Sequence, residues 1–486
     1  QNNADDTFTG RNGHAVAVFN DELWVIGGRS ELYQAYNLEY TNRRGDVWSS
    51  SDYGKTWTQL TALTGDFAEQ NFDALDPGPQ APWYARFGHT LNVLNATSYN
   101  GTTLELMVLT GGYTPTPNND VWVTTDGKDW RFAGHAPWAA RAWHEGIIFQ
   151  DRLFIMGGTP MTNDVWAAVN ITQTASGGWN TAWEQMADGE DVPWSPRAGL
   201  AGAVIEHGPG DSTLFVMGGF GGWPEGHKEY DAMRCRNDVY KTQDGLNWTI
   251  VTKSAAWEAR AWHAVATWVN MSDPYSDVTP PATTRTLTGK GARMWLAGGG
   301  YMGQDANNIV SKMIGFVDMW WSSNGKAWHQ VNYEEGSGSN LYSNMEWALT
   351  EVDDQPIYLG KWGHKMVSWV KEEEEDSGAI STGTIVPALY FIGGDAVGDG
   401  SLVSDVFVSN DTLLCVSEGI VCGGAGECSG YACSCPSTSN GDFCTGVSTE
   451  GGSGAWAVAA PSGWQPLVTM VNVVLLALVT VTAAAA

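Results

Sequence analysis

Cations are scarce in this chain of 486 residues: 25 Lys and Arg stand against 54 Asp and Glu, a formal net charge of −29. A phosphate backbone needs clustered cations, so nucleic acid is excluded as a partner. Charge of either sign is thin, at 16%, while 43% of the chain is hydrophobic and 12% aromatic, which excludes a disordered polymer. Catalytic signatures are missing as well: there is no H-E-x-x-H, no G-x-S-x-G and no P-loop. Cysteine is almost absent before residue 415; of the seven, only Cys235 lies outside 415–444. Long apolar runs are absent until Leu467–Ala486, the last 20 residues.

Glycine and tryptophan are plentiful, at 59 and 26 residues, which favours short strands joined by turns over helical bundles. A repeat emerges once the insertions are set aside. Six apolar runs end in Gly-Gly: LWVIGG (Gly27, Gly28), LMVLTGG (Gly111, Gly112), LFIMGG (Gly157, Gly158), LFVMGG (Gly218, Gly219), MWLAGG (Gly298, Gly299) and LYFIGG (Gly393, Gly394). Each reads as a strand buried on both faces, with the Gly pair marking close backbone approach or positive φ. Asp-Val-aromatic or Asp-Met-aromatic follows each pair, at Asp46, Asp120, Asp164, Asp238, Asp318 and Asp405. In most copies a hairpin turn and a further Trp come next (Trp57, Trp130, Trp248, Trp328).

Ahead of each Gly-Gly strand stands an aromatic-x-x-cation element: Phe8/Arg11, Trp83/Arg86, Trp138/Arg141, Trp194/Arg197, Trp257/Arg260 and Tyr358/Lys361. Three residues past the cation comes His14, His89, His144, His263 or His364, with Leu200 in the fourth copy. The cations Arg11, Arg86, Arg141, Arg197, Arg260 and Lys361 occupy equivalent positions. They either ring an anion site or pair with the Asp that recurs once per unit; pairing is the simpler account, because a residue repeated in every unit usually builds the unit. The His are spread around a ring, a poor geometry for one metal centre, so no metal and no cofactor is expected.

Each unit thus supplies four strands, a to d, with strand a after the His. These residues resemble the kelch family of β-propellers, from Phe8 to about Leu414. The resemblance implies an all-β fold, a six-bladed propeller over 1–414 whose blades pack radially. The sixth strand d lacks its Trp, with Leu414-Cys415 in its place, so closure falls either to 412–416 or to the N-terminus. Ser50-x-Asp52-x-Gly54-x-x-Trp57 also has the Asp-box spacing of sialidase propellers, read as a turn that several propellers share.

From 415 to 444 six cysteines follow the spacing C-x6-C-x5-C-x4-C-x-C-x8-C in a stretch with little apolar core of its own. Six cysteines allow 15 connectivities. The C-x-C-x8-C ending resembles an EGF-like module, which implies the pairs Cys415–Cys428, Cys422–Cys433 and Cys435–Cys444. Thr438 and Ser439 depart from that family's usual Gly and aromatic, and no acidic calcium motif precedes Cys415.

Residues 445–466 form a Gly/Ser-rich linker ahead of the 467–486 tail. Small residues at Ser453-Gly454-Ala455, an 11-residue spacer and a terminal apolar run resemble a glycosylphosphatidylinositol attachment signal, with Ser453 as the attachment residue. A single spanning helix is the alternative. Gln1 in place of Met is expected to reflect a removed signal peptide. Six sequons, at Asn95, Asn100, Asn170, Asn247, Asn270 and Asn410, fit a secreted glycoprotein. Propeller topology would put all six on the face of the a–b and c–d turns, leaving the opposite, insertion-rich face free for ligand.

Two insertions on that free face are acidic, and Glu334, Glu335, Asp353 and Asp354 are candidate ligand contacts for a basic or calcium-bridged partner; solubility is the plainer account. Trp143, Trp262 and Trp362, beside the His residues, are candidate stacking surfaces for sugars. The expected function is a cell-surface or secreted glycoprotein, tethered to the membrane by its tail or a lipid anchor, that binds an extracellular protein or glycan. A carbohydrate-active enzyme of galactose oxidase or sialidase type is one alternative, with Cys235 between Tyr230 and Tyr240 as the candidate crosslink. A structural subunit of an extracellular coat or filament is the other.

Overall fold

The computed structural model describes residues 8–30, 43–61 (except 53 and 55), 82–208, 210–221, 235–269, 292–304, 310–316, 318–330, 349–352, 355–358, 360–372, 385–397 and 406–408, with short strand segments from 415 to 447. Among these residues there is no helix, and the fold is all-β and propeller-like. The chain divides into two compact units, Gln1–Gly446 and Val447–Ala486. Past Val447 the second unit, with Ser453 and the apolar tail, lies outside the described residues.

The first sheet is an antiparallel meander of β1 (Ala15–Phe19), β2 (Glu22–Ile26), β3 (Val47–Ser50) and β4 (Thr58–Thr61). The second has the same order: β5 (Thr90–Thr97), β6 (Thr103–Tyr113), β7 (Pro117–Thr124) and β8 (Arg131–His135). A third meander follows with β9 (Glu145–Phe149), β10 (Arg152–Met156), β11 (Val165–Gln173) and β12 (Trp179–Ala187), hydrogen-bonded to the second where β11 meets β5, and a fourth with β13 (Ala201–Gly208), β14 (Asp211–Met217), β15 (Val239–Thr242) and β16 (Thr249–Thr252). In the fifth, β17 (Ala264–Val269) and β18 (Ala292–Ala297) are separated from β21 (Met319–Ser322) and β22 (His329–Gln330) by an inserted hairpin, β19 (Gly300–Gln304) with β20 (Val310–Gly315). Then come a hairpin of β23 (Leu349–Val352) and β24 (Gln355–Tyr358), and β25 (Gly360–Trp362), which pairs with β28 (Asp395–Val397). The sixth sheet has three described strands, β26 (Lys365–Glu372), β27 (Ile385–Ile392) and β29 (Val406–Val408).

The core lies between sheets, not within them. Ala17, Trp24 and Ile26 of the first sheet pack on Leu91, Met107 and Leu109 of the second. Leu94 and Val108 meet Leu153 and Ile155 of the third, whose Phe154 and Met156 meet Leu214 and Val216 of the fourth. Phe215 and Met217 join Trp295 and Leu296, together with Met366 and Phe391 of the sixth sheet. Trp369 and Ile392 of that sixth sheet then pack on Leu23 and Val25 of the first. The second strand of each sheet is therefore buried on both faces, which is why these runs carry no polar alternation. The first strands touch in the cyclic order β1, β5, β9, β13, β17, β26 and back to β1.

After residue 414, short antiparallel ladders join β30 (Cys415–Ser417) to β31 (Ile420–Cys422) and β32 (Glu427–Ser429) to β33 (Ala432–Ser434). The cysteine side chains from 415 to 444, and so the three pairings implied by the EGF-like resemblance, lie outside the described residues.

Candidate functional site

The recurring Arg is a buried clamp. Arg11, Arg86, Arg141, Arg197 and Arg260 are each at most 1% exposed. Each guanidinium grips the Asp of its own unit (Asp46, Asp120, Asp164, Asp238, Asp318) through two parallel bonds of 2.5–3.0 Å. One of its nitrogens also donates to the carbonyl of the first glycine of the Gly-Gly pair, at 2.7–3.0 Å. Its Nε donates to the carbonyl two residues back. The Asp accepts a further bond from the aromatic two residues on: Trp48, Trp122, Trp166 and Trp320 through the indole N–H, and Tyr240 through its hydroxyl. Burial works against ionisation of Asp46, Asp120 and Asp164, yet their arginines outweigh it and hold these carboxyls below the usual range. With at least four of five donors engaged and no solvent contact, these guanidiniums are closed off from an external anion. Lys361 lies on β25, and its side chain is outside the described residues.

The histidines are gaskets. A Cβ on the first glycine of a Gly-Gly pair would come within 2.6–2.8 Å of the imidazole Cε1 of the next sheet: Gly27 against His89, Gly111 against His144, Gly218 against His263, Gly393 against His14. In the fourth unit Leu200 fills the same place over Gly157. Burial, then the neighbouring arginines, pushes His14, His89 and His144 well below their ordinary pKa, and His263 to about 3, so the rings are neutral. Among the described residues no three His, Cys, Asp or Glu side chains converge as a metal site.

One position before each His, and before Leu200 in the fourth unit, six residues join in a closed ring of backbone hydrogen bonds. Gly88 donates to Gly13, Trp143 to Gly88, Gly199 to Trp143, Trp262 to Gly199, Gly363 to Trp262, and Gly13 back to Gly363, all N–H to carbonyl at 2.7–3.1 Å. Every member has a left-handed backbone, with φ from 53° to 65°. Four are glycine, as that conformation favours, and two are tryptophan, for which it costs about 1–2 kcal/mol each.

Those two indoles roof the ring. Trp143 lies back over Gly88 and Gly13, where any Cβ would collide with it at 2.7–3.0 Å; Trp262 lies over Gly199 in the same way. The two rings meet edge to face at 6.0 Å, flanked by Phe87 on Trp143 and Phe220 on Trp262. Both indoles remain partly exposed. Of the three tryptophans expected as stacking surfaces, the structure brings two together. Trp362 is out of register, since Gly363 holds the ring position, and its side chain lies outside the described residues. Glu334, Glu335, Asp353 and Asp354 are likewise outside them.

Below the ring lies an axial cavity of about 170 Å³. Its wall at the position after each His is Ala15, Thr90, Glu145, Ala201, Ala264 and Lys365: two opposite charges among small residues. Burial pushes the Glu145 carboxyl up to about 7, opposed by the positive charge of Lys365 and the Gly202 N–H. The positive charge of Lys365, which lines the same cavity, also helps lower His14, His89, His144 and His263. Glu145 and Lys365 escaped the motif reading because neither recurs. The signal was there as a departure: a charge where the aligned units carry Ala or Thr.

The far end of the axis carries the sequons. β5 runs away from Gly88 to Thr97, and Thr97 pairs in parallel with Thr172 of β11. Exposed Asn95, Asn100 and Asn170 therefore share the end remote from the indoles. A bond from Gln150 Nε2 to the Gln243 carbonyl ties the β9–β10 turn to the β15–β16 turn, which places exposed Asn247 at that end too. Asn270 and Asn410 are outside the described residues.

Cys235 is half-buried with a free thiol. Its Sγ donates to the Gly300 carbonyl at 3.6 Å, and burial pushes the thiol up to about 12. Tyr240, its expected crosslink neighbour, is engaged with Asp238, while Tyr230 is outside the described residues.

No family model matches this chain. No curated protein matches it either. Among solved structures, the one described as "Structure of YjhT" aligns over 83% of this chain and 96% of its own, at 13% identity and a TM-score of 0.44. A likeness that loose carries no argument about function.

Proposed function

We propose that the chain is a six-bladed kelch-type propeller that binds an extracellular protein or glycan at the rim roofed by Trp143 and Trp262. It would be displayed on a secreted or membrane-tethered glycoprotein, with an EGF-like module at 415–444 as a stapled spacer and a lipid anchor at Ser453 or a spanning tail. One observation carries this reading: two bulky residues accept a left-handed backbone at positions where the other sheets use glycine. Strain of that kind persists where surrounding structure enforces it, and it clusters at binding sites. Paired, partly exposed aromatics on a rigid scaffold are what protein and sugar partners stack against. The described sequons lie at the other end, so glycans there would leave the indole rim open.

The test uses the pattern of the ring itself. Trp143→Gly and Trp262→Gly restore the residue found at the four equivalent positions, so the fold should tolerate both. The full-length secreted chain and the double variant are screened against a glycan array and a panel of soluble ectodomains. A binder lost in the variant, at an unchanged melting temperature, supports the reading. Binding indifferent to both substitutions, or no binder on either panel, overturns it.

A further inference from the structure

Glu145 and Lys365 lie on β9 and β26, which are three places apart in either direction around the cyclic order, hence on opposite walls of the axial cavity. No ion pair joins them, although Lys365 is near enough to oppose the pKa rise of Glu145. Both side chains are partly buried, and among the described residues neither has a counter-ion in contact. Such an arrangement is costly unless something bridges it, and Met or Ala at both places would remove the cost.

Ala15, Ala201, Ala264, Val16, Val265 and Met366 give the remaining wall an apolar part, beside Thr90 and the neutral rings of His89, His144 and His263. A volume of about 170 Å³ holds on the order of ten waters, or a ligand of roughly ten non-hydrogen atoms. A single anion or cation would satisfy one wall and strand the other. We infer that the axial cavity is a binding site for a small zwitterion the size of a free amino acid, its ammonium toward Glu145 and its carboxylate toward Lys365. An apolar substituent fits the alanine wall. Trp143 and Trp262 close this cavity on the rim side, so the two sites are neighbours, and the zwitterion is recognised through Glu145 and Lys365.

The full-length secreted chain is titrated with glycine, alanine and valine, and in parallel with propionate and with ethylamine, following tryptophan fluorescence and melting temperature. The zwitterions are expected to change indole emission saturably and raise the melting temperature at about 10 mM or below, while the singly charged molecules do neither. Glu145→Gln and Lys365→Met are each expected to weaken zwitterion binding by about tenfold or more. The exchanged pair Glu145→Lys/Lys365→Glu should bind again with the ligand reversed, which a merely structural pair would not predict. If a single variant fails to fold, the wild-type preference for zwitterion over propionate and ethylamine still decides. No response to any of the five, equal response to all, or full affinity in both single variants overturns the inference. Trp143→Gly opens the roof of the cavity but keeps Glu145 and Lys365, whereas Glu145→Gln and Lys365→Met leave both indoles in place; rim binding retained in these last two variants while zwitterion binding falls separates the two readings.

Discussion

A guanidinium deprived of water survives only where its donors are taken up, and here the arginine of each of the first five units spends four of them on groups of its own unit. Arg86→Met would strand the Asp120 carboxylate, buried and still bonded to Trp122, and should cost roughly 3–5 kcal/mol in urea denaturation. The double variant Arg86→Met/Asp120→Leu should lose clearly less, since no uncompensated charge remains. The clamp was legible as a tally of one cation and one Asp per unit, and the neutral gasket role of His was half legible, because Leu200 already showed that the place tolerates a hydrocarbon. Glu145 and Lys365 were not, since repeat reading rewards what recurs and passes over what departs.

At the scale of the element, the third-to-fourth strand turns do more than reverse the chain. In the turn after β7, Thr124 Oγ1 accepts from Gly127 and Asp126 Oδ1 accepts from Lys128 and Asp129. The glycine then presses on the previous sheet: a Cβ at Gly127 would sit 2.0 Å from the ring of Trp24. Gly245 against Phe154 and Gly325 against Phe215 repeat the contact. Gly127→Ala should therefore destabilise several times more than Gly101→Ala, which has φ of 86° but open space around it. The second should cost about 1 kcal/mol, the left-handed penalty alone, and denaturant melts of the two variants make the comparison. Asp-Gly announces such a turn from sequence. What it cannot announce is an indole about a hundred residues earlier in the chain, which only the radial stacking of sheets brings against it.

For the whole molecule, the polarity of the axis matters most: strand starts, the indole roof and the connections between sheets at one end, the described sequons at the other. The sequence carried the repeat and the strand order, so this polarity followed from topology; the register of the ring did not, which is why Trp362 was grouped with two residues it does not match. A sequon introduced by Asp188→Asn/Glu190→Thr, at exposed residues of the connection leading from the third sheet to the fourth, should add a glycan near the roof. Partner binding should then fall by about tenfold or more, whereas Asn100→Gln and Asn247→Gln should leave it unchanged; biolayer interferometry reads both. The bond from Gly13 to Gly363 has one more implication. About 350 residues separate its ends, so at translation speeds of about 5–20 residues per second the growing polypeptide spends roughly half a minute as an open arc. Throughout that interval one face of the first sheet has no partner, and Leu23 and Val25 stay uncovered until Trp369 and Ile392 of the last sheet emerge to pack on them.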